Sequence, residues 1–139
     1  MIIKKQPIRD IVRKTTSTVL PTAFLSEAYV LMKSQSLTHA TVVENNSIVG
    51  IIGRKAIKQL GFGYEYSGLD DVELGIFDML QASQVMECTP PQVSLSTTID
   101  EAATLMAEGA YTGLPVVHDG QPIGIVDIND IVLSLLRAT

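Results

Sequence analysis

Apolar residues recur along this chain in two periods, and the same succession of periods is written twice. Leu25, Ala28, Tyr29 and Met32 fall at i, i+3, i+4 and i+7, as do Ile99, Ala102, Ala103 and Met106. That spacing places each set on one face of a helix, and the face must be buried. The pattern then shortens. Thr41-Val42-Val43 and Ile48-Val49-Gly50-Ile51-Ile52 flank Asn45-Asn46, while Pro115-Val116-Val117 and Ile123-Gly124-Ile125-Val126 flank Asp119-Gly120. Asn pairs and Asp-Gly tolerate the positive φ of a tight two-residue turn, so each stretch predicts a hairpin. A short helix at about 54–60 and again at about 128–137 closes each pattern, and brief extended stretches near Val19-Leu20 and Val93-Ser94-Leu95 predict a third strand beside each hairpin.

The two halves align without a gap. From Glu27-Ala28 to Glu101-Ala102, and from Gly50-Ile51 to Gly124-Ile125, the step is 74 residues in each case. Leu31-Met32 and Leu105-Met106, Thr15 and Thr89, Val19 and Val93, Thr38 and Thr112, and Ile57 and Ile131 keep the same register. A repeat of this length cannot build a generous core alone, so two β-α-β-β-α copies are expected to pack through their sheets as one α+β fold with an internal pseudo-twofold. The copies are read as 1–60 and 82–139, with 61–81 as a connector. Thr98 and Glu101 predict a capping box at the second long helix, in which hydroxyl and carboxylate each satisfy a free backbone donor; Phe24 at the matching place predicts a weaker cap.

The connector breaks the repeat. It gathers Phe62, Tyr64, Tyr66 and Phe77 among Gly61, Gly63, Gly68 and Gly75 and the acids Glu65, Asp70, Asp71, Glu73 and Asp78. A glycine-rich loop is expected, then a helical stretch from about Asp70 toward Gln84-Val85-Met86. The aromatics either pin this connector to the surface or form a docking surface or lid.

Composition narrows the function. A hydrophobic share of 46% suits a packed core, and a net charge of −5 with ten scattered basic residues gives no footprint for gripping a phosphate backbone, so nucleic acid is not an expected partner. Cys88 is the one cysteine, which rules out an intrachain disulfide and fits a reducing, cytoplasmic setting. Met1-Ile2-Ile3-Lys4-Lys5 is too short an apolar stretch for a signal core, and no run approaches the roughly 20 apolar residues of a membrane span. His39, His118 and Cys88 lack the spacing of a zinc site or a nucleophile with its base, so no catalytic residue, metal site or redox cofactor is expected.

The segment Gly113-Leu114-Pro115-Val116-Val117, followed by Gly124-Ile125-Val126-Asp127-Ile128-Asn129-Asp130-Ile131 in a doubled chain, resembles the cystathionine-β-synthase-type (CBS) domain. The whole looks like a stand-alone CBS pair. That resemblance implies a regulatory sensor, not an enzyme, which binds an adenosine-containing ligand in a cleft between the copies and forms a homodimer. It implies that Asp130 holds the ribose diol, that the backbone at Leu114 and Pro115 faces the base, and that Val93, Thr112 and Gly124 line the same position. A carboxylate accepts charge-assisted hydrogen bonds from two adjacent hydroxyls, each worth about 1.5–3 kcal/mol. The plainer reading is that Asp130 only complements the dipole of the last helix.

Two departures from the family pattern bear on the ligand. Asp127 stands where the family has Ser or Thr; it still caps the helix, yet it repels a phosphate about 4 Å away by about 4 kcal/mol at an effective dielectric of roughly 20. In the first copy Ala56 replaces the ribose acid, while Arg54 and Lys55 bring positive charge that either receives phosphates or is merely a solvated first turn. One nucleoside site per chain is therefore expected, with phosphates directed toward Arg54 and Lys55. An S-adenosyl compound, whose tail carries no phosphate, and a divalent ion such as Mg²⁺ bridging Asp127 to phosphate are the other arrangements. The rival class is a ligand-free interaction module with decayed nucleotide sites. The protein target of either module is not legible in these residues.

Overall fold

The computed structural model describes residues 5–60 and 77–137, an α+β arrangement that divides into two compact units, 17–89 and 1–16 with 90–139. In the 17–89 unit, strand β2 (Thr18–Val19) leads to helix α1 (Leu25–Ser34), hairpin β3 (His39–Glu44) and β4 (Ser47–Gly53), and helix α2 (Arg54–Gln59); helix α3 (Ala82–Val85) and strand β5 (Glu87–Cys88) complete it. The other unit begins with a 3-10 turn (Ile8–Asp10) and strand β1 (Arg13–Lys14), then takes helix α4 (Ile99–Gly109), hairpin β6 (Gly113–His118) and β7 (Gln121–Asp127), and helix α5 (Ile128–Leu136). One sheet runs β2-β3-β4-β5 and the other β1-β7-β6, the latter extended by a parallel bridge from Val93 to Val116 that stands for β2.

Turn chemistry builds the hairpins as the sequence predicts. Asn45 and Asn46, and Asp119 and Gly120, all hold positive φ. Each hairpin also carries a bulge at one place, between Val42 and Val43 and between Val116 and Val117. The apolar faces of the long helices sit where the spacing puts them: Leu25, Ala28, Tyr29 and Met32 are buried in one unit, and Ile99, Ala102 and Met106 in the other.

The repeat reaches further back than the hairpins and does something its linear order conceals. The leading segment of each copy leaves that copy and closes the hairpin of the other. Arg13 and Lys14 pair with Ile125 and Gly124, and 74 residues on, Glu87 and Cys88 pair with Ile51 and Gly50. The backbone bonds repeat in step: Thr15 N–H donates to the Ile123 carbonyl at 3.1 Å and Thr89 N–H to that of Val49 at 3.0 Å, while Ile8 N–H donates to Thr97 and Ala82 N–H to Ala23, both at 2.8 Å. One compact unit, 1–16 with 90–139, is thus discontinuous in sequence, and the other, 17–89, takes in the leading segment of the second copy. Cys88 is on β5 for this reason.

Gly50 and Gly124 stand in matching surroundings that permit the exchange. A Cβ on Gly50 would lie 2.3 Å from the Met86 sulfur, and one on Gly124 would lie 2.6 Å from Val12 Cγ1. Met86 and Val12 are themselves equivalent, so each glycine is the gap into which the incoming segment settles.

Two local expectations are corrected. The helix drawn toward Met86 does not run through: Gln81 takes extended dihedrals (φ −98°, ψ 156°) and caps α3, which holds only Ala82–Val85. Gln81 bridges Phe24, so backbone pairing with the head of α1 overrides helix propensity there. The expected capping box is divided between the copies. In the second, Glu101 N–H donates to Thr98 Oγ1 at 3.1 Å, but the Glu101 carboxylate accepts from that hydroxyl rather than from backbone; in the first, Phe24 offers no acceptor and Glu27 accepts from Phe24 N–H at 3.3 Å. Thr98→Ala is expected to cost about 1 kcal/mol, read as a fall in melting temperature with unchanged circular dichroism, whereas Phe24→Ala removes no cap bond.

Phe62, Tyr64, Tyr66, the acids at 65–73 and the helix expected from Asp70 lie outside the described residues. Phe77 is within them and fully buried among the core side chains of the 17–89 unit, and the Ser26 hydroxyl donates to Asp78 beside it. No helix among the described residues is long and apolar enough to cross a membrane.

Candidate functional site

The residues singled out in the second copy collect at one end of the β6-β7 hairpin. Asp127 ends β7 and caps α5; it is buried, and its Oδ1 accepts from Asn129 N–H at 2.7 Å. The carboxylate thereby takes the place an anion would need at the helix start. Leu114 and Pro115 are buried on β6, and Leu114 pairs with Val126 and Pro115 with Ile125. Val93 runs parallel to them at Val116, and Val93 N–H donates to the Pro115 carbonyl at 3.1 Å. Thr112 is exposed and its carbonyl receives Ile128 N–H at 2.9 Å, which joins the entrance of β6 to the start of α5.

Gly124 has a packing role in this arrangement. It lies under Val12 and the Arg13 carbonyl, opposite Lys14, and what it makes room for is β1.

Asp130 is on the first turn of α5, where its side chain is 20% exposed, and it is not alone there. Arg13, brought in on β1, donates from Nε to Asp130 Oδ2 at 2.9 Å and from Nη2 to Oδ1 at 3.3 Å. This two-pronged pair fixes the plane of the carboxylate, a geometry that arginine provides and lysine does not. Sequence reasoning missed Arg13, although a signal existed: its partner in the repeat register is Glu87, a reversal of charge at one structural position.

Arg54 and Lys55 belong to the other unit, on the first turn of α2 beside the exposed Ala56. Gly53 offers that helix no side-chain cap, and Arg54 N–H donates to the Thr38 carbonyl at 2.7 Å. His39 is buried on β3 with Nδ1 2.8 Å from Thr38 Oγ1; His118, at the end of β6, is exposed beside Asp119. Among the described residues no three His, Cys, Asp or Glu side chains are grouped to hold a metal ion.

A concave surface of about 450 Å³ lies along Thr18, Val19, Leu20, Thr22, Ala23, Glu27 and Leu31, and one of about 380 Å³ along Asp100, Glu101, Thr104 and Leu105. Neither contains a residue that the sequence singled out for the ligand.

The model of the family described as CBS domain matches residues 8–61 and 82–137. Both matches begin at the exchanged segments and not at the hairpins. Solved structures agree over nearly the full chain. The CBS domain of a CBS-domain-containing membrane protein from Sphaerobacter thermophilus is 25% identical with a TM-score of 0.69, covering 94% of this chain and 88% of its own. CBSX2, solved in complex with AMP, is 24% identical with a TM-score of 0.64, covering 95% and 97%. A CBS-domain-containing protein from Agrobacterium tumefaciens is 18% identical with a TM-score of 0.69, covering 94% and 99%. No curated protein matches the chain in sequence.

Proposed function

The chain belongs to the CBS-domain family, whose pairs are regulatory modules, and from that membership we propose that it binds an adenosine-containing ligand through Asp130 and transmits occupancy to a partner protein. The observation that carries this reading is the Asp130 carboxylate, partly open to solvent and held in one plane by Arg13. An ionised carboxylate has about four lone-pair positions, and Arg13 uses two. The remaining pair suits two neighbouring ribose hydroxyls. That CBSX2 was captured with AMP supports the ligand class.

Charge selects within the class. Asp127 caps α5 and sets a second carboxylate one helical turn from Asp130, so a phosphate at that helix start is disfavoured. Arg13 offsets one of the two acids. AMP, with its phosphate turned to the Arg13 side, and an S-adenosyl compound both satisfy this balance; a triphosphate laid along α5 does not.

Calorimetric titration with AMP, ATP and S-adenosylmethionine is the test. Asp130→Ala is expected to weaken the bound member about ten- to a hundredfold, the loss of one to two charge-assisted hydrogen bonds. Unchanged affinity in this variant would remove Asp130 from the account. The output is a conformational preference, not chemistry, because a ligand shifts an equilibrium by its differential affinity for the two states.

One observation favours a second reading. Val132, Leu133 and Leu136 are exposed together on α5, an apolar stripe that suits an association module, as a homodimer or on a target protein, with no ligand at all. A thermal-shift series with adenine compounds separates the two, since a ligand at 100 times its Kd adds about 2.7 kcal/mol of stability and the association module gains nothing.

A further inference from the structure

Strands β1 and β5 occupy the same place in the two units, yet they are fastened there differently. The backbone of β1 nests on its sheet, since the Arg13 carbonyl oxygen is 2.7 Å from where a Cβ on Gly124 would stand, and the Arg13 side chain clamps Asp130 on α5 with two hydrogen bonds. At the matching positions of the 17–89 unit stand Glu87 and Ala56, and an alanine side chain accepts no hydrogen bond. The atoms that cover Gly50 belong to the flexible side chain of Met86.

The residue that ends each strand differs too. Thr89 has a φ of 47°, in the left-handed region, whereas Thr15, 74 residues earlier, does not have a positive φ. A threonine is a poor occupant of that region, because its branched Cβ crowds the backbone. Pro90 adds to the conflict by pressing the residue before it toward extended dihedrals. Backbone of this kind persists only where neighbouring contacts hold it. One such contact is the bond from Thr89 N–H to the Val49 carbonyl at 3.0 Å, which continues the ladder between β5 and β4. Thr89 is also the last residue of its unit, from which the chain passes into the other at Pro90.

We propose that β5 is a strained strap. Thr89 is held in left-handed backbone while Glu87 and Cys88 pair with β4, and it relaxes to extended dihedrals when they let go, so that the 17–89 unit alternates between a closed and an open sheet edge. In the open state Met86 leaves Gly50, β4 is bare on that side from Val49 to Ile51, and residues 86–89 become slack in the chain that leads to Pro90. β1, clamped by Arg13 and ended by an unstrained Thr15, keeps its place. A two-state element of this kind gives a regulatory module something to switch, because any binder that prefers one state shifts the balance. The strap does not depend on whether Asp130 accepts a nucleoside.

Native-state hydrogen exchange of the full chain tests this at two matched amides. Antiparallel strands exchange hydrogen bonds at alternate residues, so the bond from Thr89 to Val49 puts Ile51 and Glu87 in the next bonded pair, as the bond from Thr15 to Ile123 does for Ile125 and Arg13. Ile51 and Ile125 both follow a glycine, so their intrinsic exchange rates match. In the wild-type chain the Ile51 amide is expected to exchange about ten- to a hundredfold faster than that of Ile125. Thr89→Gly, which takes a positive φ without strain, should slow Ile51 about tenfold, and Thr89→Asn should slow it less but in the same direction. Thr15→Gly, where no strain exists to relieve, should leave Ile125 unchanged or faster. An Ile51 amide as slow as Ile125 in the wild-type chain, or one that neither Thr89 variant slows, overturns the strap. A melting temperature that rises in Thr89→Gly while Ile51 exchange stays the same also overturns it, since the strain then belongs to the fold and is not released with β5.

Discussion

Phe77→Ala is expected to lower the stability of the 17–89 unit by about 3–5 kcal/mol, the largest effect of any single truncation considered for this chain. Phe77 is fully buried and packs with Leu25, Met32, Ile52 and Ile57, which are themselves buried. Truncation removes the transfer free energy of a whole ring and leaves a hole that side chains from α1, α2 and β4 cannot all move to fill. The backbone raises the stakes. Leu80 N–H donates to the Phe77 carbonyl at 3.3 Å, and the Leu80 carbonyl receives Leu25 N–H at 2.9 Å, so this ring anchors the turn that satisfies the head of α1. Urea unfolding followed by circular dichroism should show the midpoint falling sharply. Met79→Ala, at a side chain 78% exposed, is the control and should stay within about 0.5 kcal/mol of wild type. A Phe77→Ala midpoint equal to that control would place the ring outside the core.

Gly124→Ala is expected to be nearly as harmful, at about 2–4 kcal/mol, and for a different reason. The added Cβ would stand 2.7 Å from the Arg13 carbonyl oxygen, a backbone atom that can retreat only if β1 leaves β7. The atoms nearest a Cβ on Gly50 belong to the Met86 side chain, whose Sδ and Cγ can turn aside by rotation, so Gly50→Ala should be the milder of the two. The pair of melting temperatures tests the account, and equal losses would contradict it. Gly124→Ala should also weaken nucleoside binding although the glycine has no side chain to offer, because displacing β1 takes Arg13 away from Asp130.

Which features were legible in the sequence follows from how many residues carry each signal. Helices of ten or eleven residues with four periodic apolar positions, and hairpins with Asn-Asn or Asp-Gly turns, announce themselves, and the structure places them as read. Two residues offer no period to detect, and β1 and β5, unlike β2, pair with the hairpin of the other copy, so neither was visible. Thr15 and Thr89 lay on the repeat register, yet nothing local said that each segment would join the other copy's hairpin. The same blindness hid Arg13, since an ion pair 117 residues apart in the chain leaves no trace in spacing. Gly124 was assigned to the ligand because a family motif contains it, whereas its contacts with Val12 and Arg13 explain it through packing. The break at Gln81 was missed because the pairing that causes it, with Phe24, is again distant.

The exchange of leading segments has a consequence for how such a molecule could have arisen. A shorter ancestor encoding one copy would carry a leading strand with no seat beside its own hairpin, and the open hairpin edge would remain as a template for another chain. Two such ancestors would complete each other by trading strands, as domain-swapped dimers do. Gene duplication then ties the traded ends into one polypeptide, and neither half can afterwards be discarded without unmaking its sibling.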